Sequence, residues 1–459
     1  MSVAHRYHEL TGYTQDRHWL LPAVDPMIRQ DFWPMAEAAR PPAGKSYPSG
    51  LQRIRLPAET AATRGPCAII GISELSWLLH WSAGVILQRV DDSGRLIRFR
   101  AAGSAGNLQP IEVYLQATAL KALPDGLWYY SPEPHELVRV GGPAATGTAI
   151  VITGVPWRTA WKYAERGYRY VWWDAGSVIA HLELLTWALG IPAHICVSFP
   201  DAVVAAAVGA EDPAEIVLAV VELSEHVAFQ QPRIPSARGD LGAPGPDFPL
   251  IRAVHDASRM ENPVRAPAGF PVATPPLDGV AGASAADLIR RRVTSRRFSA
   301  VPVSAADLSW SLAAITRWPA WDQGEIPARW RVFAHNIEDL DPGLYDLTEG
   351  RLEPVRTADA RADAVASCLD QQAAGDGAYL VLLAADIDEH VRNHGERGYR
   401  GIQLFAGMVA GRLQLAAAHL GLVSTPLTVR DGTAARFVPP GTVPLIAVAV
   451  GRPSHERRT

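Results

Sequence analysis

Apolar residues recur at helical spacing in two stretches of the chain. Val178, Leu182, Leu185 and Leu189 form one stripe, and Val409, Leu413, Ala417 and Leu420 form another. Each stripe predicts a long helix packed on one face, with Gly190 and Gly421 placed as natural C-caps. Strand signals lie between and beyond them. Residues 111–115 alternate apolar positions with Glu112 and Tyr114. Residues 216–222, 379–385 and 445–450 are near-continuous apolar runs, as expected of strands covered on both faces by helices. The predicted fold is α+β, built in three layers.

The same order occurs twice. Glu165-Arg166-Gly167-Tyr168-Arg169 returns as Glu396-Arg397-Gly398-Tyr399-Arg400, an offset of 231 residues (165 to 396). That offset also carries Ala175-Gly176 onto Ala406-Gly407 and Leu189-Gly190 onto Leu420-Gly421. Leu75-Ser76-Trp77 matches Leu308-Ser309-Trp310, and Gly126-Leu127-Trp128 matches Gly343-Leu344-Tyr345. Ordered matches at nearly one offset indicate a tandem duplication in which the second copy has lost about sixteen residues in one place. A Pro- and Gly-rich interval at 229–286 reads as an extended linker. It separates a first domain at 1–228 from a second at 287–459, and its His255-Asp256-Ala257-Ser258 echoes Tyr7-His8-Glu9 at the start.

Composition narrows the function class. The 459 residues are 48% apolar and 20% charged, as in a globular protein. No apolar run is long enough to span a bilayer, and the first residues lack a signal-peptide core, so the cytoplasm is the expected compartment and no membrane partner is expected. A net charge of −4 argues against nucleic-acid binding. Cys67, Cys196 and Cys368 are widely spaced and the histidines scattered, so no metal site is expected. Only three lysines occur, Lys45, Lys121 and Lys162, so a lysine inside a motif stands out.

Four segments could carry chemistry. Gly103-Ser104-Ala105-Gly106-Asn107-Leu108-Gln109 offers small residues for close backbone approach, with Ser104, Asn107 and Gln109 as hydrogen-bonding groups; it also reads as a plain polar turn. Arg290 to Arg297 holds five arginines with Thr294 and Ser295, suited to a phosphate or to a solvated basic face. Lys162-Tyr163 supplies two side chains that exchange protons when burial shifts their pKa values, or else a surface lysine beside a packed tyrosine. Arg452, in Gly451-Arg452-Pro453, follows the last strand.

The order of LSW, SAGNLQP, LPDGLWYY, WKYAERGYRY and the AG-containing helix resembles the FMN-dependent nitroreductase superfamily. More closely it is similar to the SagB-type dehydrogenases, which oxidise thiazolines and oxazolines in ribosomal peptides. That resemblance implies a central, mainly antiparallel sheet flanked by helices, with the two copies forming an intramolecular pseudo-dimer that holds FMN. It implies a phosphate grip by Arg292, Thr294, Arg296 and Arg452, a ring-lining loop at Ser104, Asn107 and Gln109, and a catalytic pair at Lys162 and Tyr163. It further implies a peptide substrate carrying azoline rings, and a cyclodehydratase of the same pathway as partner.

The departures divide the site between the copies. The first keeps the SAGN loop and Lys-Tyr but has Ala-Ala-Thr-Arg at 61–64 where the second has Thr-Ser-Arg-Arg at 294–297. The second keeps the arginines and Gly-Arg-Pro but has Asn393-His394 in place of Lys-Tyr. One complete site, with one FMN, is the expectation. Its reaction would be oxidation of an azoline to an azole, with Tyr163 or Lys162 as a base of lowered pKa. Adjacent residues of a regular helix or strand face different ways, so either the backbone is irregular there or one of the pair orients loops. An NAD(P)H-dependent nitro-, quinone- or ene-reductase, and a flavin-free scaffold in a peptide-modifying complex, are the alternatives.

Overall fold

The computed structural model describes residues 1–14, 41–58, 66–67, 70–92, 94–121, 123–225, 227–229, 237–262, 277, 280, 284–317 and 319–454. The first half builds a seven-stranded sheet. Its spatial order is Arg53–Arg55, Glu136–Gly141, Gly126–Ser131, Ile111–Ala117, Ala149–Gly154, Ile216–Glu222 and His194–Cys196. The second half builds a six-stranded sheet in the order Arg351–Arg356, Gly343–Thr348, Ala328–Ala334, Tyr379–Ala385, Val443–Gly451 and Val423–Leu427. Every pairing in both sheets is antiparallel. Leaving aside the edge strand Arg53–Arg55, the two orders coincide strand for strand, as the duplication requires.

The long helices Gly167–Leu189 and Gly398–His419 lie between the sheets and pack on each other. Their side chains are buried nearly all round rather than on one face, because each helix meets a sheet on one side and its pseudo-symmetry mate on the other. Glycine permits the approach. A Cβ on Gly176 would strike the backbone of Leu404 and Met408, and one on Gly407 the backbone of Trp173.

The repeated Glu-Arg-Gly-Tyr-Arg is a pair of clasps between the halves. Arg166 and Arg169 of the first half hold Asp431 of the second, each at 2.8 Å. Arg397 and Arg400 of the second hold Asp201 of the first, each at 2.7 Å. The glutamates cap helices: Glu396 accepts from the amides of Val3 and Ala4, and Glu165 from those of Leu250 and Ile251. These belong to helices Val3–Leu10 and Pro249–Ala257. The second lies inside the interval expected to be an extended linker. The echo between residues 7–9 and 255–258 has a structural basis, since His8 meets Tyr399 and Arg169 while His255 meets Tyr168 and Arg400.

Candidate functional site

In the first half, helix Ile72–Ala83 is followed by a hairpin of Val85–Val90 and Leu96–Arg100, then by the loop from Gly103 to Gln109. The loop's backbone is unusual: Gly106, Asn107 and Gln109 have φ of 60°, 55° and 53°. Such left-handed positions cost energy for non-glycine residues and persist only where neighbours fix them. Here the neighbours are plain. Asp174, buried in the first long helix, accepts from Ser104 Oγ at 2.6 Å and from the Ala105 amide at 2.9 Å. Ser104 Oγ in turn accepts from the Gln109 amide, Gln109 Nε2 donates to Asn107 Oδ1, and Asn107 Nδ2 donates to Arg98 O. Arg158, itself paired with Glu112 at 2.6 Å, donates to Gln109 O. Burial raises the Asp174 carboxyl to about 7 against the bonds from Ser104 and Ala105.

Lys162 and Tyr163 end the helix Pro156–Tyr163. The next residue, Ala164, has φ 47° and ψ −137°, which breaks the helix before the turn Ala164–Arg166. The irregular backbone lets two consecutive side chains reach one place. A Cβ on Gly106 would stand 2.9 Å from Tyr163 Oη and 3.3 Å from Lys162 Nζ. Tyr163 is stacked on Tyr170 with ring centroids 4.1 Å apart.

The expected lowering of pKa holds for only one of the pair. Burial lowers the pKa of Lys162, and the charge of Arg296 lowers it further. Tyr163 is pushed well up, first by burial and then by Tyr170 and Asp174. A phenol in that setting holds its proton, so Tyr163 suits a donor or an orienting group rather than a base.

The charge of Arg296, a second-half residue, is felt by both members of the first-half pair. Arg292 also crosses between halves, donating from Nη2 to Ala101 O at 2.9 Å and from Nη1 to Thr294 Oγ1. Thr294 Oγ1 accepts as well from Gln414 of the second long helix, whose Oε1 faces Gly103. Arg292 Nε is buried without a partner, and burial lowers this guanidinium to about 10. Neither Arg292 nor Arg296 meets a carboxylate at ion-pair distance among the described residues, whereas Arg290 and Arg291 both pair with Asp287. A guanidinium without a carboxylate beside a small-residue loop, as Arg292 is beside Gly103, suits an anion.

Arg452 is placed differently. Its Nε donates to Pro302 O at 2.9 Å and its carbonyl accepts from Ser299, so it braces the segment after the arginines, with no bond to the loop or to Arg292. Sequence reasoning missed Asp174, Gln414 and Arg158, which act on the loop through buried contacts and belong to no motif. Asp174 had one available signal: the repeat offset puts Phe405 at the same place in the second half.

The opposite, pseudo-symmetric position is built differently. Residues 316–317 and 319–327 stand where the first half has its hairpin and loop. Asp322 there accepts from the amides of Val197 and Ser198, Gln323 donates to Ser198 Oγ, and Trp321 leans on Phe405. Residues 61–64, the counterpart of the arginine segment, lie outside the described residues. No group of three or more His, Cys, Asp or Glu side chains is placed to hold a metal, and no helix is long and apolar enough to cross a membrane, among the described residues.

The architecture is therefore a tandem α+β pseudo-dimer whose candidate site draws an anion grip from one half and a loop with a Lys-Tyr pair from the other. Residues 78–221 and 289–444 both match the nitroreductase family. The chain belongs to that family, once in each half. A solved structure from Anabaena variabilis, titled a "putative nitroreductase", superposes with a TM-score of 0.76 at 21% identity, covering 99% of this chain and 100% of that one. It shares the fold of the whole tandem. A Methanocaldococcus jannaschii protein named as a "putative nitroreductase" is 29% identical over 136 residues, 26% of this chain and 65% of the relative's own length.

Proposed function

We propose that the chain is an FMN-dependent dehydrogenase that oxidises thiazoline or oxazoline rings in a peptide to the aromatic azoles. The observation that carries this reading is the meeting of Lys162 and Tyr163 at Gly106, within the electrostatic reach of Arg296 from the other half.

The residues present fit FMN. Among the described residues Arg292 and Arg296 meet no carboxylate, and Arg292 keeps a buried N–H without an acceptor, which a phosphate oxygen would satisfy. Thr294 would add a hydroxyl. The missing side chains at Gly103 and Gly106 let Gln414 and Arg292 approach the loop at one glycine and the Lys-Tyr pair at the other, so the groups that would meet the flavin converge on one loop. When bound, FMN supplies a two-electron acceptor for the hydride leaving the ring. Arg452, whose Nε and carbonyl brace residues 299–302, would join the grip only through its remaining guanidinium nitrogens.

The work of the protein is proton transfer and placement. An azoline bears an acidic C–H next to a CH2. Lys162, neutral more readily than an ordinary lysine, takes the proton at Nζ, while the Tyr163 hydroxyl donates a hydrogen bond that orients the ring or the amine. Aromatisation drives the step, and molecular oxygen is the final acceptor of the electron pair. A peptide substrate fits an open site, and a cyclodehydratase that forms the azoline is the natural partner.

The test is incubation of purified yellow protein with a thiazoline-bearing peptide in air. Loss of two hydrogens per ring, with peroxide formed, supports the reading. A reductase reading has one observation in its favour, the nitroreductase family match. Fast stoichiometric bleaching of the flavin by NAD(P)H, with no change in the peptide, would replace the dehydrogenase by a reductase. Protein without a flavin spectrum would favour a scaffold.

A further inference from the structure

A cavity of about 730 Å³ opens beside the loop, and its described lining residues all belong to the first half. Its walls are the strand Leu96–Arg100 on one side and the turn after Gly126–Ser131 on the other. Gly106, Asn107 and Gln109 line it too. Gly106 is thus shared: one side faces the cavity, and its Cβ direction meets Tyr163 Oη and Lys162 Nζ. The size lies within the roughly 300–1,000 Å³ typical of ligand sites. Among the described residues the second half, with 316–317 and 319–327 in place of the hairpin, lacks the wall that would form an equivalent.

The lining has a definite chemistry. Lys45, Arg95, Arg98 and Arg100 are cationic, and Glu133 is the one acid among the lining residues. Lys45 is neutralised by buried Glu215 at 2.6 Å, and Arg100 is spent on the carbonyls of Ile111 and Ala43. Arg95 pairs with Asp91 of its own hairpin at 3.3 Å, so among the described residues Arg98 is the cation that faces across the cavity. It reaches Glu133 on the opposite wall at 2.5 Å, with both side chains well exposed, and its Nε is buried without a partner. An exposed ion pair holds together weakly, so an incoming carboxylate can displace Glu133. Phe99 and Tyr129 supply apolar and aromatic surface between.

We propose that this cavity is the subsite for the peptide segment flanking the reacting ring, an extended stretch carrying a carboxylate that takes Arg98 from Glu133. This rests on the azoline-dehydrogenase reading. It makes the hairpin Val85–Val90 and Leu96–Arg100 the element that selects the peptide, separate from the groups that do the chemistry.

Two substrates and three variants test it. One substrate is a labelled azoline peptide with an acidic residue in the flank; the other is a short, blocked single-ring azoline. Ser131→Trp fills the cavity, Arg98→Glu reverses its accessible charge, and Glu133→Ala frees Arg98. For the first two variants, kcat/KM for the long peptide should fall at least about tenfold more than for the short substrate, a difference of about 1.4 kcal/mol. Glu133→Ala should bind the acidic peptide at least as tightly as the parent chain in fluorescence anisotropy. Equal losses on both substrates, or unchanged affinity for the long peptide in Arg98→Glu, would overturn the assignment. Arg98→Glu alters an exposed side chain and keeps the test open if Ser131→Trp folds poorly. A parent chain that oxidises neither substrate would fell the dehydrogenase reading and this subsite with it.

Discussion

Arg397 of the second half holds Asp201 of the first through both carboxylate oxygens, at 2.9 and 2.7 Å, with both side chains buried. Asp201 starts helix Asp201–Val208 and also receives Arg400 and the Met260 amide. Despite burial, which raises a carboxyl pKa, the two arginines bring this one down to about 2. The halves are thus joined by a charge that cannot be removed without stranding two cations. Asp201→Asn should cost about 3–5 kcal/mol, the usual penalty for breaking one side of a buried ion pair. The pH dependence has a definite sign. A carboxyl with a lowered folded-state pKa contributes stability above its unfolded value near 4, and that contribution is lost as pH falls towards 2. Acid titration followed by circular dichroism should show the Asn variant losing less across that window than the parent.

A second expectation separates Lys162 from Tyr163. Lys162→Ala should lower turnover of an azoline peptide by roughly 10²–10⁴, the range of general-base catalysis, with flavin retained. Lys162→Arg should be equally poor, because a guanidinium does not give up its proton. In the parent, kcat/KM should rise with pH through a pKa below the ordinary lysine value, since burial and Arg296 both disfavour the ammonium. Tyr163→Phe should leave that pH profile in place while slowing the reaction. An unchanged rate in both Lys162 variants would move the base elsewhere.

The cofactor ratio is a third. One chain should release one FMN, because the second half has neither the hairpin and SAGN loop nor the Lys-Tyr pair. Each charge-assisted bond to phosphate contributes roughly 1.5–3 kcal/mol, so Arg296→Ala should weaken FMN by one to two orders of magnitude. It should purify pale or colourless, whereas Arg64→Ala should stay yellow. A released ratio near two per chain would contradict the single-site arrangement.

The loop supplies a fourth. Asp174 titrates near 7 when folded, above its unfolded value, so its net contribution is greatest at low pH and declines as pH rises from about 4 to 7. Thermal stability of the parent should fall across that interval more than that of Asp174→Asn. The variant should also speed amide exchange at residues 104–109 if the carboxylate is what pins the loop. Gly106→Ala should be costly as well, by about 1–2 kcal/mol for a left-handed residue, apart from its collision with Tyr163.

Periodicity and repetition made much of this visible in advance. The strands at 216–222 and 379–385 match the observed Ile216–Glu222 and Tyr379–Ala385, because apolar runs of that length have few other uses. What each copy had lost pointed to a site divided between the halves, and Arg292 does reach across to Ala101. What stayed hidden depends on contacts made at long range. Asp174 looks like any helix aspartate until Ser104, seventy positions away, is folded over it. The arginines of the repeated pentapeptide marked only the duplication, although they hold the two halves together through Asp431 and Asp201. The proline-rich interval concealed helix Pro249–Ala257 because its buried face, Ile251, Val254 and His255, is short, only partly apolar, and has its partners in the other segments. The pKa of Tyr163 was legible as perturbed but not in sign, since burial and Arg296 act in opposite directions.

The glycine-spaced crossing of Gly167–Leu189 with Gly398–His419 has a consequence for dilution. When two separate chains share a site, thinning the solution pulls them apart and the site goes with them. Here the partner surface is supplied by the same polypeptide, at an effective concentration set by the connecting segment rather than by the number of molecules present. Activity per chain should therefore hold constant as the protein is diluted. A substitution also strikes once: altering Gly176 leaves Gly407 untouched, so each side of the crossing can drift alone.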